Sequence, residues 1–530
     1  MLNTNIKKKS IGIIFFCVIG ILIWNSISHI LEKPKEERWD NSGLEYSYNN
    51  RNYYDILTTG TSMAVINISN EELYLNYGIS SMTLGEPEQP LFLTYYTLKE
   101  ALNYQNPKVV LFDIQSLFYS EQFIKEKFLS DERHYIHFSL DGMRNIKIKK
   151  MALEEAKKYK TDLNVWDYYI DMHYNHSNWQ DLTKDNFVRS RKSDIIFGNW
   201  MSLIMQENIV RTVFPKEIEN TGGIETISEN NLKYFSMLVN LCRENNTDLL
   251  LTRSCGAPYD FSWERDNAIN NLAKQYDLDF IDFNLVEEEI GFDWSTDTVD
   301  GGHSNVSGAK KWTDYLGDYL TEHYDFVDRR EDRSYDKYKE NEEKYRDYLD
   351  AMNTKIGLYE QLHFKDYLRQ LAQIDTTENI IMIAVSDDGT EQLDEEDKLL
   401  LKECGFQIDF SDKFRYSYIG IKDNNKVEEN ISEKKVHCSK QVTNNTNVEV
   451  TSGGALSDTI ISIKVNDLEI ASGGRGFNIV VYNTATENVL SSVFFDTYAE
   501  ANPQTGIIKD DQVMIETDVN YWENKDNISV

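Results

Sequence analysis

Tyr53-Tyr54-Asp55-Ile56-Leu57-Thr58-Thr59-Gly60-Thr61-Ser62 reads as a β-rich run that ends in a glycine turn and passes directly into a helical stretch. β-Branched and aromatic residues favour a strand, and the glycine permits a sharp reversal at its end. Tyr74–Ile79, Val109–Asp113, Leu249–Thr252 and Phe280–Phe283 are further expected strands. Leu91–Tyr104, Trp263–Tyr276 and Gly308–Tyr319 carry helical spacing. Strands alternating with helices predict an α/β unit, a parallel sheet covered by helices on both faces.

Between Ser116 and about Glu225 the alternation gives way to a long, mostly helical insertion rich in Tyr and Trp, including Trp166, Trp179 and Trp200. Such rings either pack the insertion or stack on sugars. From Asp325 to about Gly357, acidic and basic residues interleave at helical spacing, as in a solvated helical connector. A second, β-rich unit follows, with strands Ile380–Val385, Val448–Val450, Ile460–Val465, Phe477–Tyr482 and Val489–Phe495 and a helix over Glu395–Lys402. The expected organisation is a tail and transmembrane anchor over 1–32, an α/β domain over 50–326 with its insertion at 116–225, a connector over 327–360, and a sandwich-like β domain over 361–526.

A chain of 530 residues exceeds one ordinary hydrophobic core, which agrees with two folded domains. Its 41% apolar and 27% charged residues, with 26 Gly and 7 Pro, exclude a fibre or a largely disordered protein. The net charge of −33 argues against nucleic acid and anionic lipid as partners, because both attract clustered Lys and Arg. Five cysteines are too few for a disulfide scaffold; Cys404 and Cys438 share the C-terminal region, but a bridge needs a proximity that spacing does not establish.

Ile11–Leu31 is apolar and follows Lys7, Lys8 and Lys9. It is long enough to span a bilayer with the basic flank inside, leaving everything after Glu32 extracytoplasmic. A cleaved signal peptide is the rival reading, but no small-x-small site follows the run.

Ser62 follows a strand and a Gly at a helix start, where backbone N–H groups favour a developing anion. Asp300-Gly301-Gly302-His303-Ser304-Asn305 stands before the last helix of the same domain. A carboxylate three residues before a histidine on one loop can hold the imidazole tautomer while His303 takes the Ser62 proton. No His or Cys pair has metal-ligand spacing, and no cofactor is implied.

Together these segments resemble the SGNH/GDSL hydrolase superfamily over roughly Tyr53 to Phe326, with Gly60-Thr61-Ser62 at the Gly-Asp-Ser block and Asp300–His303 at the final block. The resemblance implies a three-layer, flavodoxin-like α/β/α fold and Ser62, Asp300 and His303 as catalytic residues. Asn76–Ser81 resembles the second block, which sets Ser81 in the oxyanion hole beside the Ser62 N–H. The Gly-x-Asn-Asp block is missing after Val109–Asp113, and Gln115 is the expected substitute donor. Gln89–Leu91 through Pro107–Val110 further resembles outward-facing proteins of envelope polymer modification, the polysaccharide O-acetyltransferases and teichoic-acid D-alanine transfer proteins. That likeness implies a bacterial cell-surface polysaccharide or teichoic-acid-like polymer as substrate, and a multispan membrane-bound O-acyltransferase as acyl donor.

Gly474–Tyr482 and Phe495–Tyr498 resemble the interleukin-like EMT inducer domain, as does Ile383–Gly389, which stands here before the Gly-Arg-Gly block as in a circular permutation. Some relatives of that domain bind carbohydrate, although Arg475 and Asp496 serve equally well as a fold-stabilising pair. The expectation is acyl transfer to, or removal from, an envelope polysaccharide; the alternative is a non-catalytic polysaccharide-binding or assembly protein on a degenerate scaffold.

Overall fold

A computed structural model describes residues 2–31, 42–49, 51–128, 135–183, 186–187, 195–205, 215–254 and 261–498. Packing divides the chain into two compact units, one of Met1–Met201, Arg211–Phe292 and Ala309–Tyr335, the other of Ser202–Val210, Asp293–Gly308 and Asp336–Val530.

In chain order the first unit contains α1 (Leu2–Leu31), α2 (Ser42–Asn49), β1 (Ile56–Thr59), α3 (Ser62–Ile66), α4 (Asn70–Tyr77), β2 (Ser81–Thr83), α5 (Leu91–Ala101) and β3 (Val109–Asp113). The insertion follows with α6 (Glu121–Phe123), α7 (Tyr135–Leu140), α8 (Ile146–Ala156), α9 (Asp171–Asn175), β4 (Ile195–Ile196) and β5 (Asn199–Trp200). Next come α10 (Glu229–Glu244), β6 (Asp248–Arg253), α11 (Trp263–Tyr276), β7 (Phe280–Asp282) and most of α12 (Val306–His323).

The parallel sheet has the order β2-β1-β3-β6-β7, with Ile56 opposite both Ser81 and Val109, and Val109 opposite Asp248. β1 and β3 are buried at every position, as a sheet covered on both faces requires. The chain leaves β1 for β2 on one side and returns to β3 on the other. That reversal falls at the C-terminal ends of β1 and β3, the kind of position where α/β sheets bind ligands.

One expectation needs correction here. Tyr74–Ile79 is not a strand: α4 takes in Tyr74–Tyr77, started by Ser69, whose hydroxyl accepts from Glu72 N, and stopped by Gly78 at φ 70°. Both ends are local helix signals that override the β preference of Tyr and Ile. The apolar run Ile11–Leu31 lies within α1, a helix of 30 residues whose side chains are described from residue 15. Among the described residues no helix is long and apolar enough to cross a membrane, so these residues do not by themselves establish the expected anchor.

The second unit contains α13 (Asp336–Tyr359), α14 (Phe364–Leu371), β8 (Asn379–Ser386), α15 (Glu395–Glu403), β9 (Ser417–Asp423), β10 (Lys426–Ser432), β11 (Val436–Gln441), β12 (Asn447–Gly453), β13 (Ile460–Val465), β14 (Leu468–Glu469), β15 (Gly476–Asn483) and β16 (Asn488–Phe495). Its antiparallel sheets run β10-β9-β8-β15-β16 and β11-β12-β13-β14. Ile380, Met382 and Ala384 of β8 share one core with Val448 and Val450 of β12 and Ile463 of β13, so the two sheets bury a common face. On the opposite side, Phe364 of α14 packs against Phe477 and Phe495. β8 is thus covered twice, which accounts for its unbroken apolar run.

The charged stretch before this unit is α13, which buries Tyr338, Tyr345, Tyr348 and Met352. These positions recur at helical spacing and turn the charges outward, so the expected helical connector is a helix, but an amphipathic one with a buried stripe. Residues 499–526 of the expected C-terminal domain lie outside the described residues.

Candidate active site

The turn after β1 is set by close packing against β3. Gly60 has φ 140°, and a Cβ there would stand 2.8 Å from Asp113 Cβ and 3.1 Å from Asp113 O. Only glycine fits that crossing. Thr61 then caps α3, accepting from Met63 N at 3.3 Å, while its hydroxyl lies 2.9 Å from Gln115 Oε1 and 3.1 Å from Asp113 Oδ1. Asp113 also accepts from Gln115 N at 3.2 Å, so the ends of β1 and β3 are tied side chain to side chain. With its oxygen toward Thr61, Gln115 presents Nε2 as the donor end of its amide.

Ser62 opens α3 and is partly exposed, whereas Met63, Ala64, Val65 and Ile66 are buried. α3 has five residues, too short for a full macrodipole, so stabilisation of an anion here falls to individual backbone N–H groups.

Ser81 lies at the other end of the sheet. Its partner is Ile56, three residues and roughly 10 Å along the strand from Thr59. Its hydroxyl donates to Asn70 Oδ1 at 2.8 Å. Gly85 is the residue of this segment that reaches the turn: a Cβ there would lie 3.1 Å from Thr61 O and 3.2 Å from Gly60 O, and Glu86 N donates to Gly60 O. The backbone at Gly85, not Ser81, therefore adjoins the Ser62 turn. Thr83-Leu84-Gly85, a glycine just beyond a short strand, was the available sequence signal.

Asp300 and His303 belong to the second unit, in Asp293–Gly308. Val299 N donates to His303 O at 2.7 Å, and Thr298 bridges Ser304, which closes a tight loop with Gly301 at φ 77°. Asp300 Oδ1 accepts from Gly302 N at 3.0 Å and His303 N at 2.9 Å, and the carboxylate meets His303 Nδ1 at 2.9 Å. Burial pushes the Asp300 carboxyl upward, but the His303 charge and these hydrogen bonds outweigh it and hold it well below the usual carboxylate range. With Nδ1 held by Asp300, proton transfer falls to Nε2. Asn305 anchors the base of the loop, capping Ser307 N and Gly308 N and donating to Thr296 O.

No protein-family model and no curated protein matches this chain.

A second polar cluster lies at one end of the C-terminal sheets. β15 pairs with both β8 and β16, which brings Ile383–Gly389, Gly474–Tyr482 and Phe495–Tyr498 together. Arg475 forms a two-pronged pair with Asp496 at 2.9 and 2.7 Å, and its guanidinium lies 4.7 Å from the Tyr498 ring centre. Buried Asp388 faces exposed Arg415 at 3.5 Å. Gly476 allows the close crossing, since a Cβ there would meet Phe495 O at 2.1 Å.

Cys404 and Cys438 are both free. Cys404 is buried with its thiol toward Leu368 O, and burial pushes it up to about 12. Cys438 on β11 lies 3.9 Å from Glu428 Oε2.

Proposed function

We propose that the chain is an SGNH-type, extracytoplasmic acyl-serine enzyme that moves acyl groups, acetyl foremost, onto or off a cell-surface polysaccharide, anchored in the bacterial plasma membrane by α1. The observation that carries the reading is Ser62 itself, the single residue of α3 that is not buried, placed where the strand order reverses. The carboxylate-held imidazole of His303 supports it.

In the proposed cycle Ser62 Oγ attacks the acyl carbonyl as its proton passes to His303 Nε2. The tetrahedral intermediate collapses, and the leaving group departs with that proton. A sugar hydroxyl or water then attacks the acyl-serine, His303 takes its proton and returns it to Ser62, and the ester or acid is released. The Ser62 and Gly85 N–H groups with Gln115 Nε2 are the proposed oxyanion donors. Asp300 orients His303 and stabilises its cation. The donor is supplied through a membrane-bound O-acyltransferase, and the Arg475, Asp496 and Tyr498 cluster holds the polymer, since planar guanidinium and aromatic groups suit sugar rings and hydroxyls.

A second reading, a non-catalytic polysaccharide-binding protein, is favoured by the missing Gly-x-Asn-Asp block. Intact-mass spectrometry after exposure to a serine-directed phosphonate separates the two. The enzyme reading expects one adduct, absent from Ser62→Ala; no adduct on folded protein favours the binding reading.

A further inference from the structure

The insertion departs from the acidic character of the chain. Residues 144–160 hold seven Lys or Arg and two Glu, a net +5 within a chain of −33. Lys147, Lys150 and Lys157 of this stretch are exposed. Just beyond it, Trp166, Tyr169, Ile170, Trp179 and Phe187 are exposed as well, Trp166 at 60% and Trp179 at 63%. The basic and aromatic groups meet where Lys149 Nζ lies 5.8 Å from the Tyr169 ring centre.

This surface is fastened to the end of α1. Asn178 Nδ2 donates to Leu31 O and Asn186 Nδ2 to Ile30 O, each at 3.0 Å. These amides satisfy carbonyls that a helix leaves open at its C-terminus. From Phe15 to Ile27, by contrast, α1 is exposed at every residue. An apolar helical stretch that the described residues leave exposed needs an apolar solvent, and a patch pinned to its end shares the boundary of that solvent.

Trp, Tyr and Lys are the side chains that settle where hydrocarbon meets headgroups. We infer that residues 144–183 with Asn186 and Phe187 form a membrane-facing surface. Trp166, Tyr169, Ile170, Trp179 and Phe187 enter the interfacial zone of the bilayer that holds α1, and Lys147, Lys150 and Lys157 meet lipid phosphates. The inference rests on the proposed anchor. It also replaces the exclusion of anionic lipid drawn from net charge, because attraction across a Debye length follows the local charge.

The test uses the full chain in phosphatidylcholine vesicles, with and without phosphatidylglycerol, and lipids brominated either near the headgroup or deep in the acyl chain to quench tryptophan. The shallow quencher is expected to dim the protein, and Trp166→Phe/Trp179→Phe to lose most of that dimming. Phosphatidylglycerol should strengthen it, and Lys147→Gln/Lys150→Gln/Lys157→Gln should remove the strengthening. Deep quenching lost in Trp24→Phe reports the anchor separately. Deep quenching of Trp24 without shallow quenching of Trp166 and Trp179 overturns the membrane-facing surface and leaves the anchor standing, as when a protein partner covers this face. No deep quenching of Trp24 overturns the anchor, and this inference with it.

Discussion

The Ser62 turn and the Asp300–His303 loop each position one candidate catalytic side chain, and they do so by opposite means. Ser62 is placed by residues far apart in sequence: Gly60 against Asp113, Thr61 against Gln115, and Gly85 against the Gly60–Thr61 backbone. His303 is placed by its neighbours, within the few residues from Thr298 to Ser304 and through one carboxylate. A tertiary turn is sensitive to volume at its crossing points, whereas a local loop is sensitive to the chemistry of the side chain that knits it.

Substitutions can break that contrast, and the largest effect is expected at Asp300. Asp300→Asn keeps an oxygen for Gly302 N and His303 N but removes the negative charge that faces His303 Nδ1. Ester turnover should fall roughly 10³–10⁴-fold while the thermal midpoint changes little. Gly60→Ala should do the reverse, costing about 3 kcal/mol or more in denaturant unfolding, from the positive φ and the clash with Asp113. Gln115→Ala sharpens the comparison, because it removes a proposed oxyanion donor and a brace of Thr61 together. A kcat loss of roughly 10²-fold with an unchanged KM marks the donor role, and a change in stability alone marks the brace.

The smallest effect concerns Asp266, another group set by distant residues. Burial, then the Asp282 carboxylate, push its pKa up to about 6. A carboxyl whose folded pKa exceeds its unfolded value of about 4 contributes stability that is fully present below that unfolded value. The contribution is lost as pH rises toward the folded value. Asp266→Asn should therefore flatten the pH dependence of unfolding between about pH 4 and 6.

The same contrast explains what was legible in the sequence. β1, β3, β6 and β7 read correctly as short apolar runs, because strands buried on both faces need few polar residues. Asp300-Gly301-Gly302-His303 was legible because its geometry is local. The neighbour of the Ser62 turn was assigned to Ser81 instead of Gly85, since only the register of β1 with β2 says which residue reaches the C-terminal end. β10 and β11 went unread because they are mostly polar and, apart from Val436, no residue in them is fully buried, which leaves little apolar alternation to mark them. The charge density of α13 hid a buried tyrosine stripe for a related reason: composition averages over the two faces of a helix.

In the proposed mechanism the Ser62 hydroxyl and the His303 imidazole cooperate, and a double-mutant cycle on the turnover of an activated acetyl ester reports that cooperation. Ser62→Ala and His303→Ala should each remove most activity, and the double variant should be no worse than either alone. Losses that multiply, or an acetyl-esterase activity that survives Ser62→Ala, would contradict a shared acyl-serine mechanism.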